Sequence, residues 1–126
     1  MVFLTKLIKM KFKIVLVVFP FDDLSDFKLR PALCLTDTIS EHKHILLAFI
    51  TSNLNNATES TDLIIDKAEA EFEMTGLKVS PVIKIHRIIT TSDKIIQKVI
   101  GVLPESYHYK VYEKIKLLFN LSPQSL

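Results

Sequence analysis

Residues 19–33 read FPFDDLSDFKLRPAL, and the order of residue types in them sets the reading of the whole chain. An apolar run ends at Phe19. Pro20 and the cluster Asp22, Asp23, Leu24, Ser25, Asp26 break it and open a polar loop. The chain then turns basic at Lys28 and Arg30. Pro31 starts a second apolar run, and a proline at a first strand position loses no essential ladder bond. Working outward, residues 14–19 form a continuous β-branched and aromatic run, as expected for a strand buried on both faces. Residues 32–36 make the second strand and 45–51 the third.

Further along, residues 52–61 are rich in Asn, Ser and Thr and read as an exposed loop. A short strand is expected at 63–65. Residues 67–75 carry helix-forming Ala and Glu, with Ala68 and Phe72 on one face and Gly76 as a C-terminal cap. Strands follow at 79–89 and 99–103. The last element is a helix from about Glu105 to Phe119, with Tyr107, Val111, Ile115 and Leu118 on one face; Asn120 to Pro123 end it. The fold class is mainly β (α+β): many short strands and one terminal helix point to a small, strongly curved β-barrel with a short helical insertion.

The chain has 126 residues, of which 48% are hydrophobic, so one domain with a real core is expected. We place it at residues 12–121, after an N-terminal extension 1–11 and before a tail 122–126. Only Gly76 and Gly101 are glycines, which excludes a glycine-rich phosphate loop. Cys34 is the only cysteine; it precludes an intrachain disulfide or a multi-cysteine zinc site, and in the run Ala32-Leu33-Cys34-Leu35 it reads as a buried, inert thiol.

The net charge of +2 is too mild to announce nucleic-acid binding. Acids gather at 62–73, whereas 78–98 hold five Lys/Arg against Asp93 alone. This polarity suits an anionic ligand on one side of the fold, and a solvated surface of mixed charge accounts for it equally well. The apolar run near the N-terminus is far short of the roughly 20 residues of a membrane span. Lys6, Lys9, Lys11 and Lys13 are scattered through that segment, and no small-x-small cleavage site follows. A core strand behind a basic extension, in a cytoplasmic protein, is the expectation.

Arg30 precedes Pro31, which favours an extended conformation, and its guanidinium offers five fixed donors suited to a phosphate. Thr51 ends an apolar strand, where a hydroxyl becomes exposed on rigid backbone; Ser52 adjoins it. On a regular strand Lys84, His86 and Ile88 share a face. The three acids of the 22–26 loop read as turn capping rather than a metal site. His42, His44 and His108 show no metal-ligand spacing.

Taken in order, FPFDDLSDFKLRPAL, AFITS at 48–52, GLKVSPVIKIHRI at 76–88, TSDK at 91–94 and KVIGVL at 98–103 resemble the MazF/PemK family of toxin ribonucleases. That family carries a very similar F-P-F-x-D-L-S…K-x-R-P-A-L and a later I-T-S, and the likeness extends over roughly residues 12–120. It implies an SH3-like barrel, a homodimer, a cognate antitoxin that folds on binding, and cleavage of single-stranded RNA without metal or cofactor. The products would be a 2′,3′-cyclic phosphate and a 5′-OH. The resemblance makes Arg30 and Thr51 catalytic, with Ser52 and His86 beside them, and assigns RNA binding to Phe21, Ser25, Lys28, Lys84 and Arg87. Phe19, Phe21 and Phe27 are stacking candidates, with core packing the alternative for the first two.

The chain also departs from the pattern. The family's common Gly-Asp before the first strand is Phe12-Lys13, and its usual proline within that strand is Val18. An arginine and aspartate found in some PemK-branch members align with Lys84 and His86. These changes are expected to alter a turn, activity or sequence preference. Two other readings are a decayed toxin that keeps its antitoxin contact and a binder of DNA gyrase like the CcdB toxins.

Overall fold

The computed structural model describes residues 9–19 and 28–120. Phe21, Ser25 and Phe27, and the side chain of Phe19, lie outside the described residues. Six antiparallel strands form one sheet: β1 (Lys13–Phe19), β2 (Lys28–Cys34), β3 (His44–Thr51), β4 (Asp62–Ile64), β5 (Val82–Ser92) and β6 (Ile96–Val102). The order across the sheet is β4-β5-β3-β2-β1-β6. β4 and β6 are its edges, and among the described residues no pairing joins them. The mainly β (α+β) class expected from the sequence is the one formed, as an antiparallel sheet that is not closed among the described residues.

Alternation along the strands sorts side chains onto two faces. One face carries Ile14, Leu33, Ala48, Ile50, Ile83 and Ile85 in the larger core, which also takes Phe72, Leu103, Tyr107 and Val111. Helix α1 (His108–Phe119) covers this core, following a 3-10 turn at Glu105–Tyr107. Tyr107 and Val111 are buried, and Ile115 and Leu118 pack beside them, so the expected helical face is the one used. The other face holds the smaller core of Met10, Val15, Val17, Ala32, Cys34, Ile45 and Leu47. Burial pushes the Cys34 thiol up to about 12, against a weaker opposing pull from Lys13, so it stays protonated and inert.

The 67–75 segment is not an α-helix. A 3-10 turn forms at Ala70–Thr75, with Gly76 as its left-handed cap (φ 71°). Its buried residues are Phe72 and Thr75, three apart, and a 3-10 turn aligns i with i+3. Ala68, expected on the buried face, is exposed.

β5 is not a regular strand either. Phe49 pairs with Lys84 and its neighbour Ala48 with Ile88, so residues 85–87 bulge out of the ladder. The bulge breaks the expected shared face: Ile88 packs on the larger core, whereas Lys84 lies on the opposite side.

Candidate functional site

The β2–β3 pairing runs Cys34–Leu47, Leu33–Ala48, Ala32–Phe49 and ends there. Cys34 accepts from Phe12 on the β1 side and Leu35 donates to Leu46 on the β3 side. By alternation the nitrogen of Pro31 points toward β3, where it has no hydrogen to give. Carrying the same register two residues further sets Arg30 across from Thr51. Arg30 also pairs with Val17 on β1. On a regular ladder that register would put the two residues on one face at the end of the sheet, where Arg30 is exposed and Thr51 half-buried. Lys28 lies two residues before Arg30 on that face and is exposed, as Arg30 is.

Thr51 is held by the loop that follows it. Its Oγ1 accepts from the Asn53 N–H at 3.2 Å and from the Asn56 side-chain amide at 3.4 Å. A hydroxyl has two acceptor sites and one O–H. Both acceptor sites are taken, so what Thr51 has left to offer is a donor. Ser52 beside it is exposed.

The loop is in turn clamped to β5. The Asn56 carbonyl accepts from Lys84 Nζ at 2.7 Å, and the same ammonium donates to Asp62 Oδ2 at 2.8 Å. Lys84 and Asp62 side chains are 9% and 4% exposed, so this is a buried ion pair. The ammonium expected to reach RNA is committed inside the fold. Asp62 Oδ2 also accepts from the backbone N–H groups of Thr58 (3.0 Å) and Glu59 (2.9 Å). Burial raises the Asp62 pKa, but the Lys84 hydrogen bond and charge and these N–H donors outweigh it and hold the carboxyl below the usual range. Asp62 Oδ1 is buried without a hydrogen-bond partner, and His86 Nδ1 lies 4.0 Å from it.

A polar chain therefore runs Thr51, Asn56, Lys84, Asp62, His86. Arg87, the next residue of the bulge, sets its guanidinium over the Phe49 ring at 4.8 Å. Arg30 and Thr51 lie just beyond the last β2–β3 pair, and Lys84 and His86 reach Thr51 only through intermediaries. Asn56 and Asp62 were not singled out from the sequence. Asn56 is one of several polar residues in an exposed loop, and Asp62 reads as one more acid in an acidic stretch. Their roles arise from contacts 28 and 22 residues away, to Lys84.

Among the described residues no group of three or more His, Cys, Asp or Glu side chains could hold a metal ion. Among them, too, no helix is long and apolar enough to cross a membrane.

The family of PemK-like, MazF-like toxins of type II toxin–antitoxin systems matches residues 10–119. The chain belongs to this family. A search of the curated proteins gives no match. Among solved structures it is similar to the Mycobacterium tuberculosis toxin MazF-mt6, with 21% identity over 87% of this chain and 98% of that one, at a TM-score of 0.65. It is similar also to an endoribonuclease in complex with its cognate antitoxin from a mycobacterial species, at 10% identity, covering 90% and 96%, TM-score 0.68. A third is MazF from Deinococcus radiodurans, at 15% identity, covering 91% and 98%, TM-score 0.65. At these identities the structural likeness concerns the fold.

Proposed function

We propose that this member of the PemK-like toxins is the toxin of a type II pair and a metal-independent endoribonuclease of the cytoplasm. It would cut single-stranded mRNA at a short sequence. The observation that carries this reading is that both acceptor sites of the Thr51 hydroxyl are filled, which leaves a donor at the end of β3, next to the strand that carries the exposed Arg30.

Two fixed donors of this kind suit an oxyanion. The ribose 2′-OH attacks the adjacent phosphorus, the P–O2′ bond forms and the P–O5′ bond breaks, leaving a 2′,3′-cyclic phosphate and a 5′-OH. Arg30 stabilises the charge that builds on the non-bridging oxygens, a role natural for a guanidinium that stays protonated. Thr51 donates to one of the same oxygens, with Ser52 adjacent. His86 supplies a titratable group at the far end of the polar chain. Lys28 and Arg87 bind the RNA backbone; the family resemblance adds Phe21 and Ser25, which lie outside the described residues; and Lys84 serves the RNA by fixing the loop that holds Thr51. Unpaired bases are the natural target, because sequence-specific RNA recognition uses unstacked single strands. The partner is an antitoxin segment that folds on binding and covers this face, and the toxin acts as a homodimer. A monomer in sedimentation at micromolar concentration would overturn the dimer.

The test is cleavage of a long single-stranded RNA by the purified protein in EDTA, beside Arg30→Ala, with product ends mapped. Discrete cuts bearing cyclic phosphate are expected, and Arg30→Ala should lower the rate by about 10²–10³-fold, as loss of one transition-state donor does. Failure of well-folded protein to cut RNA of varied sequence would turn the reading to a decayed toxin or a gyrase binder.

A further inference from the structure

The Asp62 carboxylate is used unevenly. Oδ2 takes three donors, from Lys84 Nζ and the Thr58 and Glu59 N–H groups, whereas Oδ1 takes none although it is buried. A carboxylate oxygen shut away from water without a donor is costly, and native structures rarely leave one so. Within ion-pair range of that oxygen, among the described residues, stands His86, its Nδ1 4.0 Å away and its side chain 37% exposed. This separation is too long for a hydrogen bond, and a modest turn of the ring closes it.

The charges explain what closure would do. Lys84 and Asp62 cancel, so with a neutral imidazole the cluster carries no net charge. Adding a proton to His86 makes it cationic on the side that faces solvent. The other charged groups of the neighbouring elements are engaged elsewhere. Arg87 lies over Phe49 of β3, the Glu59 carboxylate takes the Thr58 hydroxyl, and Lys114 of α1 donates to the Ser60 carbonyl. Histidine is the side chain whose charge changes near neutral pH.

His86 reaches Thr51 only through intermediaries. Thr51 pairs with Val82, four residues before His86 on β5, and Asn56, Lys84 and Asp62 intervene on the polar chain. We infer that Asp62 and His86 form a proton-coupled phosphate subsite. In it His86 turns Nδ1–H onto the orphaned Oδ1 and, as an imidazolium, donates from Nε2 to an RNA phosphate neighbouring the scissile one. This inference rests on the RNA-cleaving reading proposed above.

The probe is a 2′-O-methyl oligonucleotide, uncleavable because the attacking hydroxyl is blocked, carrying the mapped cleavage sequence or a random one if no cut is found. Titration calorimetry at one pH in two buffers of different ionisation enthalpy gives the protons taken up on binding. Wild type is expected to take up a measurable fraction of a proton. His86→Gln should abolish that uptake, weaken binding about tenfold, as loss of a charge-assisted bond does, and lower the salt slope by about one.

Asp62→Asn should likewise abolish the uptake. Because it strands the Lys84 ammonium, Asp62→Asn with Lys84→Met is measured beside it, and circular dichroism checks the fold. Equal uptake in wild type and His86→Gln overturns the inference while leaving RNA cleavage standing. So does uptake that persists in the folded double variant. If wild type neither cuts RNA nor binds the probe, both readings fall. Proton uptake with an acidic peptide but not with RNA would overturn the phosphate assignment.

Discussion

Phe12 holds a left-handed backbone (φ 69°) that a β-carbon resists, at the position where the PemK pattern commonly has glycine. Its N–H donates to the Cys34 carbonyl and its carbonyl accepts from Leu103, each at 2.8 Å, so the backbone is tied on both sides. The ring stacks on His108 (centroids 3.7 Å apart) and meets Tyr112 edge-on. The turn therefore survives without its glycine, and the side chain that strains it also pins α1 to β1. Phe12→Gly should relieve about 1–2 kcal/mol of strain but remove a buried ring worth about 3–5. We expect a net loss of about 2 kcal/mol, read as a lower urea midpoint. A more stable Phe12→Gly protein would refute this balance. At this scale the sequence made Arg30 and Thr51 candidates through the family resemblance, while Pro31 and the end of an apolar run marked only their places on the strands. Asp62 and Asn56 stayed hidden, because neither has a local pattern and each is defined by a partner on a distant strand.

Among the elements, the 3-10 turn and β6 cross closely, and both glycines of the chain lie at the crossing. A β-carbon on Gly101 would fall 2.3 Å from the Met74 carbonyl oxygen, and one on Gly76 would fall 2.1 Å from that of Ile100. Both obstacles are backbone and cannot swing aside. Gly101→Ala is expected to cost at least about 1–3 kcal/mol, visible as a lower thermal midpoint; an unchanged midpoint would mean that the two segments separate easily. Gly76 was legible as a cap, since a left-handed cap is local chemistry. The need for Gly101 was not, because it comes from the backbone of Met74 and Thr75, distant in sequence, folding back on β6. The same contrast explains the strands and the bulge. Six strands follow from apolar runs, whereas the displacement of residues 85–87 depends on how β3 and β5 register, which periodicity within β5 does not reveal.

For the molecule as a whole, the buried Asp62–Lys84 pair links stability to pH. The folded Asp62 carboxyl titrates below its unfolded value, so its contribution is full above the ordinary carboxylate range, near about 3.9, and is lost as pH falls through the folded value. Asp37 acts in the same sense. The Lys11 N–H lowers its pKa most, burial opposes this, and the Met10 N–H adds to the lowering, at 2.9 and 2.8 Å from Oδ1 respectively. The urea midpoint should hold from neutral pH to about pH 5 and fall below it, and Asp37→Asn should make that fall shallower. Asp62→Asn is expected to cost about 3–5 kcal/mol at neutral pH, because the Lys84 charge is left buried alone. A loss below 1 kcal/mol would show that water reaches the ammonium.

The missing hydrogen on Pro31 has a mechanical consequence. Sheets resist being pried apart because each step breaks backbone bonds, and the β2–β3 ladder ends at Ala32–Phe49, just short of that proline. β1 keeps hold of β2 there, pairing as far as Phe19 with Lys28. A β2–β3 ladder that stops there leaves less backbone to break, should an incoming strand part the two, than one running the full length of β2 would.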